Sequence, residues 1–122
     1  MKRNEGKRER ELQLGSERVL GLFVNKWSIK VTHSLARSKK RPGRLKRELW
    51  PVSQKVLTKT LRDLEKAGLV VRRKLSSKPL AVEYELSRLG KTFIRPLNAL
   101  CSWAEAHKSQ INQTVNFSAN RR

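Results

Sequence analysis

The stretch Ser53-Gln54-Lys55-Val56-Leu57-Thr58-Lys59-Thr60-Leu61-Arg62-Asp63-Leu64-Glu65-Lys66-Ala67-Gly68 decides how the rest of the chain reads. Leu57, Leu61 and Leu64 stand at i, i+4 and i+7, a spacing that lines up one apolar stripe on a helix. Ser53 is a residue type whose hydroxyl caps a helix N-terminus, and Gly68 stands where a left-handed C-terminal cap belongs. Pinning the leucines inward frees the opposite side. There Lys55, Thr58, Lys59 and Arg62 fall at i, i+3, i+4 and i+7 and form one polar, cationic stripe. Ser53, Gln54 and Lys55 occupy the first turn, where free backbone N–H groups favour phosphate. A helix so built fits the major groove of a duplex, where Lys or Arg donates to guanine acceptors and Gln54 matches adenine.

Downstream, Leu69 to Lys74 and Val82 to Leu86 are two short β-prone runs, the second alternating Val82, Tyr84 and Leu86 with Glu83 and Glu85. Ser76, Ser77 and Pro79 are turn residues within Leu75 to Ala81, so the pair reads as a hairpin. Arg72, Arg73, Lys74 and Lys78 place four cations and no acid in seven residues of it. Such side chains neutralise phosphates and set register with little choice of sequence. They also discourage strand-to-strand aggregation at a sheet edge. Ser87 then caps a long helix with Phe93, Leu97, Leu100 and Ala104 on one stripe, continued by His107 and Ile111. Pro96 either kinks this helix or starts a new one. From Asn112 onward the chain is polar, and residues 112–122 read as a disordered tail.

Upstream, residues 1–14 are polar without apolar periodicity and read as a basic, flexible arm. Ser16 caps a short helix carrying Val19, Leu20 and Phe23 on one face, with Asn25 as a left-handed stop. A second helix is predicted from Trp27 to Arg37, with Trp27, Val31 and Leu35 spaced four apart. Ser38 to Gly43 reads as a basic loop, because Pro42 and Gly43 break a helix. A short third helix follows, turning Leu45 and Leu49 inward and ending at Pro51. The expectation is one winged helix-turn-helix domain over residues 15–111, α+β but mostly helical, with a two-stranded wing and a long C-terminal helix.

Charge points the same way. The 122 residues carry 29 Lys+Arg against 10 Asp+Glu, a net +19, which matches a polyanion better than a small acidic metabolite. The excess is clustered: Arg37 to Arg47 holds seven basic residues and no acid. Lys40, Arg41 and Arg44 are candidates there for additional DNA contacts. One cysteine, Cys101, rules out an internal disulfide and a Cys-rich metal cluster. It lies on the apolar side of the last helix, where a buried, inert thiol is expected. His33 and His107 have no sequence-evident acid partner, and neither metal-ligand spacing nor a glycine-rich phosphate loop is present, so no catalysis, cofactor or metal is called for. No apolar run reaches the ~18 residues of a membrane span, and a cytoplasmic, nucleoid-associated protein is expected.

These residues resemble the HxlR-type regulators, winged-helix relatives of the MarR group, over residues 16–104. The resemblance is carried by Glu17-Arg18-Val19-Leu20, Lys26-Trp27, Ser53-Gln54-Lys55-Val56-Leu57-Thr58, Leu61-Arg62-Asp63-Leu64-Glu65, Ala67-Gly68-Leu69-Val70, Val82-Glu83-Tyr84-Glu85-Leu86 and Leu89-Gly90-Lys91. It implies a homodimer that binds an inverted-repeat operator in double-stranded DNA and regulates a nearby gene. Its first and last helices would build the dimer through Val19, Leu20, Phe23, Phe93, Leu97, Leu100 and Ala104. Two recognition helices would then enter successive major grooves about 34 Å apart. Many members carry a sensing cysteine three residues before the position matching Glu17; here that residue is Leu14, so a redox switch is not expected. Where the family often has an aromatic residue and Glu in the third-helix region, this chain has Pro42 and Arg44.

Two other readings compete. The charge excess alone suits an architectural protein that coats DNA without sequence preference, and some winged helices bind acidic proteins instead. Trp27, Trp50 and Trp103 sit at or beside apolar helix positions and are expected to pack a core or the dimer rather than stack on bases. If six to ten phosphates are neutralised per dimer, duplex affinity falls by about 10³–10⁵ between 50 and 200 mM salt. A filter-binding series across that range checks this, and a flat response contradicts a charge-driven complex.

Overall fold

The computed structural model describes residues 6–8, 17–23 and 25–113. Helix α1 covers residues 17–22, followed by α2 (Lys26–Arg37), α3 (Pro42–Glu48), α4 (Gln54–Lys66), strands β1 (Val70–Ser77) and β2 (Leu80–Leu86), and α5 (Arg88–Ala106). Residues 108–113 are again helical. The fold is the winged helix-turn-helix expected, mostly helical with one antiparallel two-stranded sheet.

The described residues form two compact units, one ending at Thr92 and the other beginning at Phe93. In the first, Val31 and Leu35 of α2, Leu45 of α3, Val52, Leu57, Leu61 and Leu64 of α4, and Leu69, Val70 and Leu86 are all buried. Each such side chain contributes about 1.5–3 kcal/mol of burial, enough for α4 alone to tie three helices and the hairpin together. In the second unit, Leu97 is buried while Leu100 and Trp103 lie exposed on a helix that runs through Pro96 without ending there. Cys101 is a free thiol that is half-buried, not sealed in as expected.

Several local expectations are corrected by backbone chemistry. Asn25 is not a left-handed stop: at φ −89° and ψ 125° it is the N-cap of α2, and its side chain accepts from the Trp27 N–H at 2.9 Å. Pro42 starts α3 instead of preventing it, because a proline in the first turn forfeits only an N–H that has no helical partner. Helix α3 ends at Glu48, three residues before Pro51. The hairpin strands run further than propensity indicates, narrowing the turn to Lys78 and Pro79, because pairing resumes at Ser76↔Ala81 beyond a bulge between Lys74 and Ser76. Trp50 and Trp103 do not pack a core in this chain, being 76% and 56% exposed. Trp27 is half-buried, with the ammonium groups of Lys26 and Lys30 each 5.0 Å from its ring centroid. Asn112 and residue 113 are helical, so the tail does not begin at 112; Ser16 and residues 114–122 lie outside the described residues.

Two glycines hold the junction between α4, β1 and α5. Gly68 adopts φ +79°, the left-handed cap that ends α4. The Ser87 hydroxyl donates to the Gly68 carbonyl and accepts from the Gly90 N–H at 3.0 Å, which seats the start of α5 against the end of α4. A Cβ on Gly90 would stand 2.1 Å from the Leu69 carbonyl oxygen, a backbone atom that cannot yield. Gly90→Ala is therefore expected to lower stability by about 1–3 kcal/mol or more. At Gly43 the nearest obstacle is the mobile end of Arg47 at 3.7 Å, so Gly43→Ala should raise stability by about 0.5 kcal/mol. Thermal denaturation of the two variants beside the parent checks both signs.

Candidate nucleic-acid interface

The Ser53 hydroxyl accepts from the Val56 N–H at 3.1 Å, so the cap read from sequence is formed. Burial of Leu57, Leu61 and Leu64, together with Thr60, whose hydroxyl donates to the Val56 carbonyl at 2.7 Å, sets the rotation of α4. Ser53, Gln54, Lys55, Thr58, Lys59 and Arg62 are consequently all exposed. The Gln54 amide donates to Thr58 Oγ1 at 3.1 Å, and Lys59 Nζ pairs with Asp63 at 2.9 Å.

Strand pairing sorts the wing residues by face. Arg72 stands opposite Tyr84 and Lys74 opposite Val82, on the face that also carries the buried Val70 and Leu86. Arg73 points the other way, toward Glu83 and Glu85, and its guanidinium is paired with Glu85. Lys78 is exposed in the turn. Between α4 and the wing lies a cleft of about 420 Å³ lined by Thr58, Arg62, Glu65, Arg72 and Tyr84. Tyr84 and Glu65 were not among the residues expected from sequence to contact DNA. No local signal marks them, because only tertiary packing places β2 beside the third turn of α4.

The basic stretch before α3 behaves less uniformly than its charge suggests. Arg41 and Arg44 are exposed and, with Lys39, Arg47 and Glu83, line a second depression of about 510 Å³. Lys40, expected to add to a DNA-binding patch, does not present its ammonium to solvent. Its side chain is buried, donating to the Ser34 carbonyl at 2.7 Å and the Ser34 hydroxyl at 2.8 Å, with Glu48 at 3.1 Å. Its backbone exchanges two hydrogen bonds with Tyr84, 2.9 and 2.8 Å long, and so adds a one-residue rung to the wing. Desolvation, reinforced by the positive charges of Arg37 and Arg44, pushes the Lys40 ammonium below the ordinary lysine range despite Glu48. Lys40 is a structural residue.

Ion pairing divides the remaining cations. Among the described residues the pairs take up Arg37, Lys39, Lys40, Lys59, Arg73 and Lys108, and leave Lys55, Arg62, Arg72, Lys74 and Lys78 without one. These five lie on α4, on the cleft-facing side of β1 and at the wing turn, and Arg41, Arg44 and Arg47 before and along α3 are likewise outside any ion pair among the described residues. That arrangement can accept an extended polyanion along one surface.

The HxlR-like helix-turn-helix profile matches residues 22–112. The chain belongs to the HxlR family. Among its relatives is the HTH-type transcriptional regulator YtcD of Bacillus subtilis (strain 168), 33% identical over 103 residues, covering 84% of this chain and 82% of the relative. A MarR-family transcriptional regulator from Enterococcus faecalis V583 superposes with a TM-score of 0.68 at 32% identity, over 86% of this chain and 92% of that one. The redox regulator HypR in its reduced form gives a TM-score of 0.72 at 28% identity, over 80% and 97% of the two chains. In this HxlR chain, Leu14, which stands at the position expected to carry a sensing cysteine, lies outside the described residues.

Replacing Lys40 with Met should separate structure from binding. Lys40→Met is expected to lose about 1–3 kcal/mol of stability while leaving the salt dependence of duplex affinity unchanged. The lowered ammonium also fixes a sign. Between its folded value and the ordinary lysine value the unfolded chain binds the proton more tightly, so this group's contribution to stability rises with pH through that window. Unfolding of parent and variant followed from neutral to alkaline pH should show that rise only in the parent.

Proposed function

We propose that this HxlR-family chain is a sequence-specific double-stranded-DNA-binding transcriptional regulator that acts as a homodimer on an inverted-repeat operator. The observation that carries the reading is the separation of α4 into a buried leucine side and an exposed side whose cations, with those of the cleft-facing wing, are largely unpaired. Gln54, Lys55, Thr58 and Lys59 lie in the first two turns of α4, the part of a recognition helix that meets base edges. Arg72, Lys74 and Lys78 bind the backbone, with Arg41 and Arg44 extending the footprint. The relatives' being HTH-type transcriptional regulators supports the same function.

Apolar surface left open in a single chain supports self-association. Leu20 of α1 is 65% exposed and Leu100 of α5 is 57% exposed. Val19, Phe23, Phe93 and Ala104 are half-buried and can complete such surfaces, whereas Leu97 is buried already and offers nothing to a partner. The protein works in the cytoplasm, at the nucleoid, and no helix among the described residues is long and apolar enough to cross a membrane.

A quadruple variant, Lys55→Glu, Thr58→Glu, Lys59→Glu and Arg62→Glu, should keep its circular dichroism spectrum yet lose at least about 10³-fold in duplex affinity. Retained affinity in a folded variant overturns the reading. Footprinting of the parent on genomic fragments decides between regulator and coating protein: one short palindromic protected site supports the first, uniform protection the second.

A further inference from the structure

We infer that the cleft between α4 and the wing is the seat of one backbone phosphate, clamped by Arg62, Arg72 and the Tyr84 hydroxyl, and that Arg62 is a backbone anchor rather than a base reader. The inference rests on the DNA-binding reading above and assigns chemistry within it. In a duplex the major and minor grooves are separated by a single phosphodiester strand. A protein that lays α4 in the major groove with its wing flanking the adjacent minor groove must pass that strand between helix and wing. Here that space is the cleft lined by Thr58, Arg62, Glu65, Arg72 and Tyr84.

The lining suits a phosphodiester. Two guanidiniums enter from different elements, Arg62 from the third turn of α4 and Arg72 from β1, and neither is held in an ion pair among the described residues. Guanidinium forks bind phosphate oxygens through paired, charge-assisted hydrogen bonds. Tyr84, directly opposite Arg72 in the ladder, is anchored by both backbone hydrogen bonds to Lys40, so its ring enters the cleft from a fixed point. Arg62 also lies in the third turn of α4, beyond the first two turns that reach base edges, on the side of α4 that meets the wing. Glu65 is the one acid in the lining, and its charge opposes the phosphate.

The test pairs protein variants with duplexes that carry a single neutral methylphosphonate linkage, scanned across the site of the full-length protein. Arg62→Ala and Arg72→Ala should each weaken binding about ten- to hundredfold, equally on matched and mismatched sequences, and each should lower the salt slope by about one per clamp. Tyr84→Phe should cost roughly threefold to tenfold without altering the slope, and Glu65→Gln should tighten every complex. At one linkage per half-site, the parent should lose the most affinity, Arg62→Ala and Arg72→Ala each less, and the Arg62→Ala, Arg72→Ala double variant nothing further. Should Arg62→Ala instead abolish discrimination at one base pair, or should no linkage show that overlap, the clamp is overturned while DNA binding stands. Failure of the parent itself to bind any duplex removes the underlying reading as well.

Discussion

The interaction on which everything else depends is the burial of Leu57, Leu61 and Leu64, each at most 3% exposed, in the core of the first compact unit. A helix has one rotational degree of freedom about its axis, and three leucines on one stripe remove it. Once α4 cannot roll, Lys55, Thr58, Lys59 and Arg62 have no choice but solvent. Helix α4 packs against α2 and β1, and Val31 and Leu35 of α2, Leu45 of α3 and Val70 of β1 are buried in the same unit, so the orientation of the exposed face is set by the whole unit rather than by α4 alone.

Lys40 shows how a strongly basic chain separates structural from functional charge. Taking an ammonium out of water is costly unless acceptors replace its hydration, and Ser34 and Glu48 supply them. Glu48 also bonds the Ser34 hydroxyl and pairs with Arg37, so one carboxylate links the end of α2, the segment before α3 and α3 itself. Because Lys40 simultaneously bonds Tyr84 through its backbone, this polar cluster holds the wing at a fixed place beside the helices. With only 10 acids against 29 bases in the chain, each acid that forms a pair decides which cations remain free. Asp63 and Glu85 take Lys59 and Arg73, and Lys55, Arg62, Arg72 and Lys74 remain.

Much of the fold was legible from local rules. The leucine period, the Ser53 and Ser87 caps and the Gly68 stop each rest on interactions within a turn or two of chain, and each is present in the structure, whereas the alternation along Val82 to Leu86 forms a strand in which Val82 to Glu85 are all half-buried and only Leu86 is buried. What was misread depended on partners distant in sequence. The strands lengthen because each rung is stabilised by the other strand, not by its own propensity. Trp50 and Trp103, read as packing a core or the dimer, do not pack the core of the single chain, because apolarity by itself does not say whether a neighbouring surface of the same chain exists to cover them. Asn25 and Pro42 were misplaced for another reason, since the same residue types serve at helix starts and in loops, and only the backbone angles distinguish the two.

By itself the sequence determined the periodic elements, the sign and clustering of the charge, and the side of α4 that must face outward, because those follow from residue spacing along one helix. Tertiary structure alone decided that Lys40 is buried, that Arg73 is paired with Glu85, and that Tyr84 joins Arg62 and Arg72 in one cleft. The reason is geometric. The cleft is lined by residues that meet in space but stand ten and twenty-two positions apart in the chain, as Arg62 does from Arg72 and Tyr84, and no short-range periodicity encodes that approach.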